Sequence, residues 1–305
     1  GKGMIKIIPI LLGVIIIVFT IINVVPGDPG RRILGVSAEQ EAVDQLNHEL
    51  GVDRPFFVRL FDYIKNIVTR FDFGISYQSM NPVVETLQLN FKYTFKLALL
   101  MTIGYVAIGI PLGVLSAVKQ YSWIDNLTRV TSVTLSAFPS FWFYMMAIIF
   151  FSLQLGLFPS GGVDSWLNYV LPVGCASILN SSSLQRMTRT TMLETIRQDY
   201  VRTARAKGCA KVSVVWKHAF LNAALPIINS VGVGFAGMLG GTVICESVFN
   251  MPGLGTVIIK AINAKDVPLV MGCTVLLSTI FCLMVLLIDI ISSLVDPRVK
   301  AKLAG

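Results

Sequence analysis

Apolar residues gather in six long runs, near 7–25, 93–118, 130–155, 166–184, 225–245 and 269–294, with polar connections between them. Each run is long enough to cross roughly 30 Å of hydrocarbon at about 1.5 Å per helical residue. The pattern predicts an all-α integral membrane protein with six transmembrane helices. Lys2 and Lys6 before the first run resemble the start of a signal peptide. The run is too long for one and has no small-residue cleavage pattern, so a retained anchor is expected. The long connection that follows has structure of its own. Pro26-Gly27-Asp28-Pro29 breaks the first helix, and Ser37-Ala38-Glu39-Gln40 fits a capping box, with the Ser hydroxyl and Gln amide satisfying free backbone groups. A second amphipathic helix is expected from Asp53-Arg54-Pro55, carrying Phe57, Leu60, Phe61, Ile64, Ile67, Val68 and Phe71 at helical spacing. That stripe either packs on the outer span ends or forms a platform for an external protein.

Composition agrees with the bilayer as solvent. The 305 residues are 54% apolar and only 14% charged, with a mean hydropathy of +0.72, too little polar material to cover a soluble protein of this size. The net charge of +8 acts mainly as a topology signal. In a six-span scheme Lys2, Lys6, Lys119, Arg129, the basic residues from Arg186 to Lys217, Arg298, Lys300 and Lys302 fall on one side, and the positive-inside rule makes that side the cytoplasm, with both termini. The connection 157–165 has no Lys or Arg and 246–267 has only Lys260 and Lys265. No basic domain stands clear of the membrane, so nucleic acid is not an expected partner, whereas membrane lipid is. Cys175, Cys209, Cys245, Cys273 and Cys282 are dispersed without a CxxC pair and read as packing residues rather than a disulfide or metal framework.

Catalytic patterns are missing. His48 and His218 fall on opposite sides of the membrane, and there is no G-x-S-x-G elbow, no HExxH and no G-x-x-x-x-G-K-[ST] phosphate loop. A pore-forming subunit without enzymatic activity or a metal site is expected. The fourth run is polar in its inner half, with Ser177, Asn180, Ser181, Ser182, Ser183 and Gln185. Polar side chains in hydrocarbon must pair or face water, so they line a pathway or bond to neighbouring helices, and both readings stand. The fifth run carries Gly232, Gly234, Gly237, Gly240 and Gly241, in which Gly237-x-x-x-Gly241 would let two helix backbones approach closely. Asp289 in the last run is either a transport carboxylate or, nearer the cytoplasmic end, half of a structural pair with a basic loop residue.

Residues 190–226, from Thr190-Thr191-Met192-Leu193-Glu194 through Asp199-Tyr200-Val201-Arg202-Thr203-Ala204-Arg205-Ala206-Lys207-Gly208 to Asn222-Ala223-Ala224-Leu225-Pro226, resemble the cytoplasmic loop of inner-membrane permeases of binding-protein-dependent ABC importers. Within these the chain is similar to the peptide and nickel branch, in which Arg-Thr-Ala replaces the commoner Glu-Ala-Ala and the interval from Gly208 to Pro226 is long. Asp72-Phe73-Gly74-Ile75-Ser76, Pro82-Val83, Glu246-Ser247-Val248-Phe249-Asn250-Met251-Pro252-Gly253-Leu254-Gly255 and Lys265-Asp266-Val267-Pro268 extend the resemblance over nearly the whole chain.

The resemblance implies a type I ABC importer permease fold. Residues 1–25 would be an N-terminal end and first helix, 26–92 an extracytoplasmic region, 93–298 a five-helix core with a coupling loop at 186–219, and 299–305 a cytoplasmic tail. It implies a homologous second permease, two cytoplasmic ATPases holding ATP and Mg, and an extracytoplasmic solute-binding protein, with no cofactor in this chain. Arg202, Thr203, Ala204, Arg205, Ala206, Lys207 and Gly208 would couple to the ATPase, with Ala204 and Ala206 keeping the docking surface low. Asn180, Ser181, Gly237, Gly241 and Glu246 would line or gate the pathway. In that reading Glu246 meets solute or binding protein near the outer mouth; otherwise it is a helix-end carboxylate paired with a base. Peptides are the expected cargo, with nickel, a metallophore or an opine as alternatives. A secondary transporter, a channel and a membrane-embedded enzyme are the rival classes.

Overall fold

A computed structural model describes residues 2–24, 28–35 and 37–295. Pro26 and Gly27 of the expected helix break, Asp296, Pro297 and Arg298, and the tail at 299–305 lie outside the described residues.

Among the described residues the apolar runs are largely helical. The first gives α1 (Lys2–Val24). The external connection forms α2 (Pro29–Leu34), α3 (Gln40–Glu49) and α4 (Phe56–Arg70). Then come α5 (Val83–Val118), α6 (Trp123–Ala137) and α7 (Ser140–Ala147), which continues as a π-helical stretch Ile148–Gln154. A 3₁₀ turn at Trp166–Tyr169 leads into α8 (Val170–Ile196), followed by α9 (Asp199–Ala206). One turn, α10 (Lys211–Ser213), passes through a π stretch, Val214–Phe220, into α11 (Leu221–Gly241). The chain closes with α12 (Val243–Val248), α13 (Leu254–Asn263) and α14 (Val267–Val295). Among the described residues the protein is all-α, with one isolated bridge between Ile75 and Pro82.

Among the described residues three helical stretches are long and apolar enough by themselves to cross a membrane: Val83–Val118, Lys211–Gly240 and Val267–Ser292. The expected single span at 130–155 is instead two helices meeting at 98°, which together would make a fourth. The sequence contains the cause. Pro139 has no amide to donate and restricts the residue before it, so Phe138 turns extended (ψ 131°) and stops α6. The apolar part of α1 is shorter, Ile8–Ile21, and α8 falls short in hydropathy because Asn180, Ser181, Ser182, Ser183, Gln185, Arg186 and Arg189 occupy its centre.

The chain divides into two compact units. One holds residues 1–94 and 252–282. Its core joins Ile15 and Phe19 of α1, Leu60 of α4, Phe73, Val83 and Leu87, Leu254 and Ala261 of α13, and Leu269 to Leu277 of α14. The expected capping box at Ser37 does not form. The helix begins later, with Glu39 as an extended N-cap that makes no side-chain cap bond, and Gln40 pairs with Asp44 and Arg31 instead. The turn before α2 is tied by Asp28, which accepts from the Arg31 amide at 3.1 Å and from Asn47 Nδ2 at 2.7 Å. The Asn47 bond, with that amide, holds the Asp28 carboxyl below the usual carboxylate range. The predicted amphipathic helix is α4. Asp266 is fully buried ahead of α14, where it accepts from Ser76 Oγ at 2.5 Å and the Gln78 amide at 3.2 Å.

The other unit holds residues 95–251 and 283–305. A close helix approach runs along α5 and α8. A Cβ at Gly113 would lie 2.5 Å from the Thr188 Cβ, and one at Gly109 would lie 3.0 Å from the Ser181 carbonyl oxygen. Gly104 meets Ser177 in the same way. Glycine at these three positions lets α8 lie directly on the α5 backbone.

Candidate coupling and pathway sites

Helix α8 ends at Ile196, Gln198 turns extended (ψ 151°), and α9 begins at once. Asp199 stands in its first turn and Arg205 in its last, each matching the sign of the helix end it occupies. Gly208 closes the helix. At φ +78° it takes the left-handed conformation that a side chain disfavours, so its amide reaches the Arg205 carbonyl at 3.0 Å and that of Cys209 reaches Ala204 at 3.2 Å.

The seating of α9 corrects one expectation. Val201 and Ala204, one turn apart, are buried and form a small cluster with Val214 of the π stretch. Ala204 therefore faces inward; its small side chain lets α9 lie close to its own chain and does not lower a docking surface. Arg202, Thr203, Arg205, Ala206, Lys207 and Gly208 are exposed. Among the described residues Arg202 makes only a long, exposed pair with Asp199, at 3.6 Å. Behind α9, a cavity of about 480 Å³ is lined by Arg205, Lys211, Cys209 and the apolar side chains of Ala117, Val118, Ile196, Val214 and Val215.

The polar centre of α8 divides between the two readings left open by sequence. Ser177, Ser181, Ser182 and Gln185 are buried. Ser177 Oγ donates to the Met101 carbonyl at 3.3 Å, Ser181 Oγ donates to the Ile178 carbonyl at 2.7 Å, and Ser182 Oγ lies 3.0 Å from Ser136 Oγ. Ser132 Oγ donates to Gln185 Oε1 at 2.5 Å. These groups bond within α8 or join it to α5 and α6, so Ser181 does not line an open path within this chain. Asn180 does lie on an open face. It is exposed together with Ser183, Met187, Thr190, Glu194 and Arg197, at alternating spacings of three and four that keep them on one stripe down α8 to the start of α9.

One ion pair fixes this arrangement and was not foreseen. Arg189 on α8 grips Asp125 in the first turn of α6 with both ends of its fork, Nε to Oδ1 at 2.7 Å and Nη2 to Oδ2 at 2.8 Å. Ser116 Oγ at 2.5 Å and the Tyr121 amide at 2.9 Å complete the shell of a carboxylate that is 0% exposed. Arg186 reaches back to the Ser132 carbonyl and Ser136 Oγ. The sequence signal was an Asp three positions beyond the hydroxyl-bearing N-cap Ser122, 64 residues from its partner.

The remaining candidates lie elsewhere. Gly237 is exposed, and a Cβ built there meets nothing within 4 Å, so the close approach expected at Gly237 is not made within this chain. Gly232 against Ile288 and Gly234 against the Tyr105 hydroxyl are the close contacts of α11. Gly241 is the last residue of α11, and its surroundings lie outside what is described. Glu246, on α12, is fully buried and accepts from Thr242 Oγ1 at 2.8 Å. The carboxylate expected at an outer mouth is thus enclosed by its own unit, between Cys245 and Phe249, which are buried too. Asp289 is exposed on α14 and makes no ion pair among the described residues; Arg298, Lys300 and Lys302 lie outside them.

Residues 109–301 match the binding-protein-dependent transport system inner membrane component, and residues 2–98 match the N-terminal region of the same kind of membrane component. The chain is 34% identical over 301 residues to the glutathione transport system permease protein GsiC of Escherichia coli K12, covering 99% of this chain and 98% of that one. It is 35% identical over the same length to GsiC of Salmonella typhimurium LT2. Two inward-facing structures of the MetNI methionine ABC transporter share the fold. One has a TM-score of 0.50 at 21% identity, covering 72% of this chain and 96% of that one; the other has 0.52 at 18%, covering 71% and 95%. This chain belongs to the inner membrane components of binding-protein-dependent transport systems.

Proposed function

We propose that the protein is one of two homologous permease subunits of an ATP-driven importer for small peptides, with two cytoplasmic ATPases and an extracytoplasmic solute-binding protein as partners. The observation that carries this reading is the continuity of the open stripe on α8 with the exposed basic surface of α9, in a chain whose relatives are permeases along their whole length. ATP and Mg are held by the partners, since no phosphate loop occurs in this sequence. Closure of the ATPases moves α9, and α8 passes that motion to the pathway. The peptide cargo rests on the resemblance to the glutathione permeases, so glutathione and dipeptides are the first solutes to offer.

The reading also requires six membrane crossings with both termini in the cytoplasm. Besides the three long apolar helices, α1, the bent α6–α7 pair and the polar α8 cross; the second permease covers the open stripe of α8. Cysteines placed at Ser37 and Asp164 are expected to react with an impermeant maleimide on intact cells, and one at Lys211 only after permeabilisation. Labelling of Lys211 from outside would invert the topology and remove α9 from the reach of an ATPase.

A further inference from the structure

The sequence treated the apolar residues of α4 as one stripe, but the structure gives them two fates. Leu60 is buried, and Phe56, Tyr63, Ile64 and Ile67 pack on the core that includes α1 and the first turns of α14. Phe57 (79% exposed), Phe61 (67%) and Val68 (73%) occupy the adjoining sector and touch no such core. At 100° per residue these three fall within about 40° of one another, beside the buried sector. The apolar arc of α4 is therefore about 160° wide, of which its own unit covers only about 100°.

The depth of the helix indicates what covers the rest. The Phe56 ring meets Phe19 of α1 edge to face at 5.3 Å, and Tyr63 lies 6.1 Å from the same ring. Phe19 is five residues before the end of α1 at Val24, about 7.5 Å along the axis. An amphipathic helix lying in a membrane boundary sits about 5–10 Å deep. Exposed Lys65 borders the open sector, where a long side chain can lie along apolar surface and still carry its charge to a phosphate. A soluble protein that docks and leaves would return this phenylalanine face to water in every cycle, whereas lipid covers it continuously.

We infer that α4 lies in the outer leaflet, with Phe57, Phe61 and Val68 in the upper acyl region and Lys65 at the phospholipid phosphates. This rests on the membrane topology proposed above. The test uses the assembled importer in nanodiscs of phosphatidylethanolamine and phosphatidylglycerol, in a Cys209→Ser background because Cys209 is the exposed native thiol. Nitroxides are attached singly through Phe61→Cys, through Glu41→Cys on exposed α3 as the aqueous reference, and through Ile17→Cys on exposed α1 as the acyl reference. Collision with oxygen relative to a water-soluble nickel chelate is expected to be several-fold higher at 61 than at 41, and below that at 17. A ratio at 61 equal to that at 41 would place the face in water, and exclusion of both reagents would place it under a protein partner; either overturns the inference. If position 17 keeps its acyl value, the spanning topology stands while the lipid seat falls. A water-like value at position 17 overturns both.

Discussion

Replacing Arg189 with Leu is expected to destabilise the folded chain by about 3–5 kcal/mol, because removing one partner of a buried pair strands the other's charge. Asp125 is fully enclosed, and Ser116 and the Tyr121 amide do not neutralise it. The variant should reach the membrane in much lower yield and melt at a lower temperature in detergent. Asp125→Asn with Arg189→Leu removes the stranded charge and should recover much of the loss, whereas Asp125→Asn alone should be milder than Arg189→Leu alone, since it leaves only the partly exposed guanidinium unpaired. A wild-type melting point for Arg189→Leu would show that the pair contributes nothing to joining α6 and α8.

The second large effect is expected on α9, where the inner and outer faces separate two kinds of failure. Ala204→Asp places a carboxylate against Val201 and Val214. Burying it without a partner costs at least about 1–3 kcal/mol, enough to lift α9 from its seat. Reversing the outer charges with Arg202→Glu, Arg205→Glu and Lys207→Glu leaves the contact of Val201 and Ala204 with Val214 in place, as all three side chains are exposed. If an acidic groove on the ATPase receives this face, like charges now oppose one another, at a cost of several kcal/mol. Retention of the ATPase on the purified permease and ATP-driven uptake should then fall by more than about tenfold, with membrane insertion and binding-protein capture intact. If these cations meet only lipid phosphates, at about 1 kcal/mol each, ATPase retention would be unchanged, and α9 would not be the coupling element.

The helical elements were legible because apolar runs of spanning length announce themselves, and the start of α4 and the glycine stop of α9 follow from local rules of proline and glycine geometry. The break at Phe138-Pro139 was legible by the same rules but was hidden inside a run whose composition reads as continuous. Side-chain direction was harder. Ala204 looked like part of an outer surface because Val201, one turn earlier, draws meaning only from Val214, which the chain reaches after a turn. The polar residues of α8 could not be sorted from sequence, since hydroxyls bonding within the protein and hydroxyls facing an open stripe share one composition. Glycine spacing in α11 suggested a close approach at Gly237, whereas α11 makes its close glycine contacts at Gly232 and Gly234, and α5 meets α8 at Gly104, Gly109 and Gly113. Small-residue spacing shows where two backbones can meet and not which helix arrives. The pairing of Asp125 with Arg189 spans 64 residues and two helices, beyond the reach of any local pattern.

The most direct test of the account is solute uptake by vesicles reconstituted with this chain, its second permease, the two ATPases and the binding protein. Glutathione or a dipeptide should accumulate only when MgATP is on the ATPase side and the binding protein is on the other, with no response to an imposed proton gradient. Uptake driven by a proton gradient in vesicles holding this chain alone would contradict it.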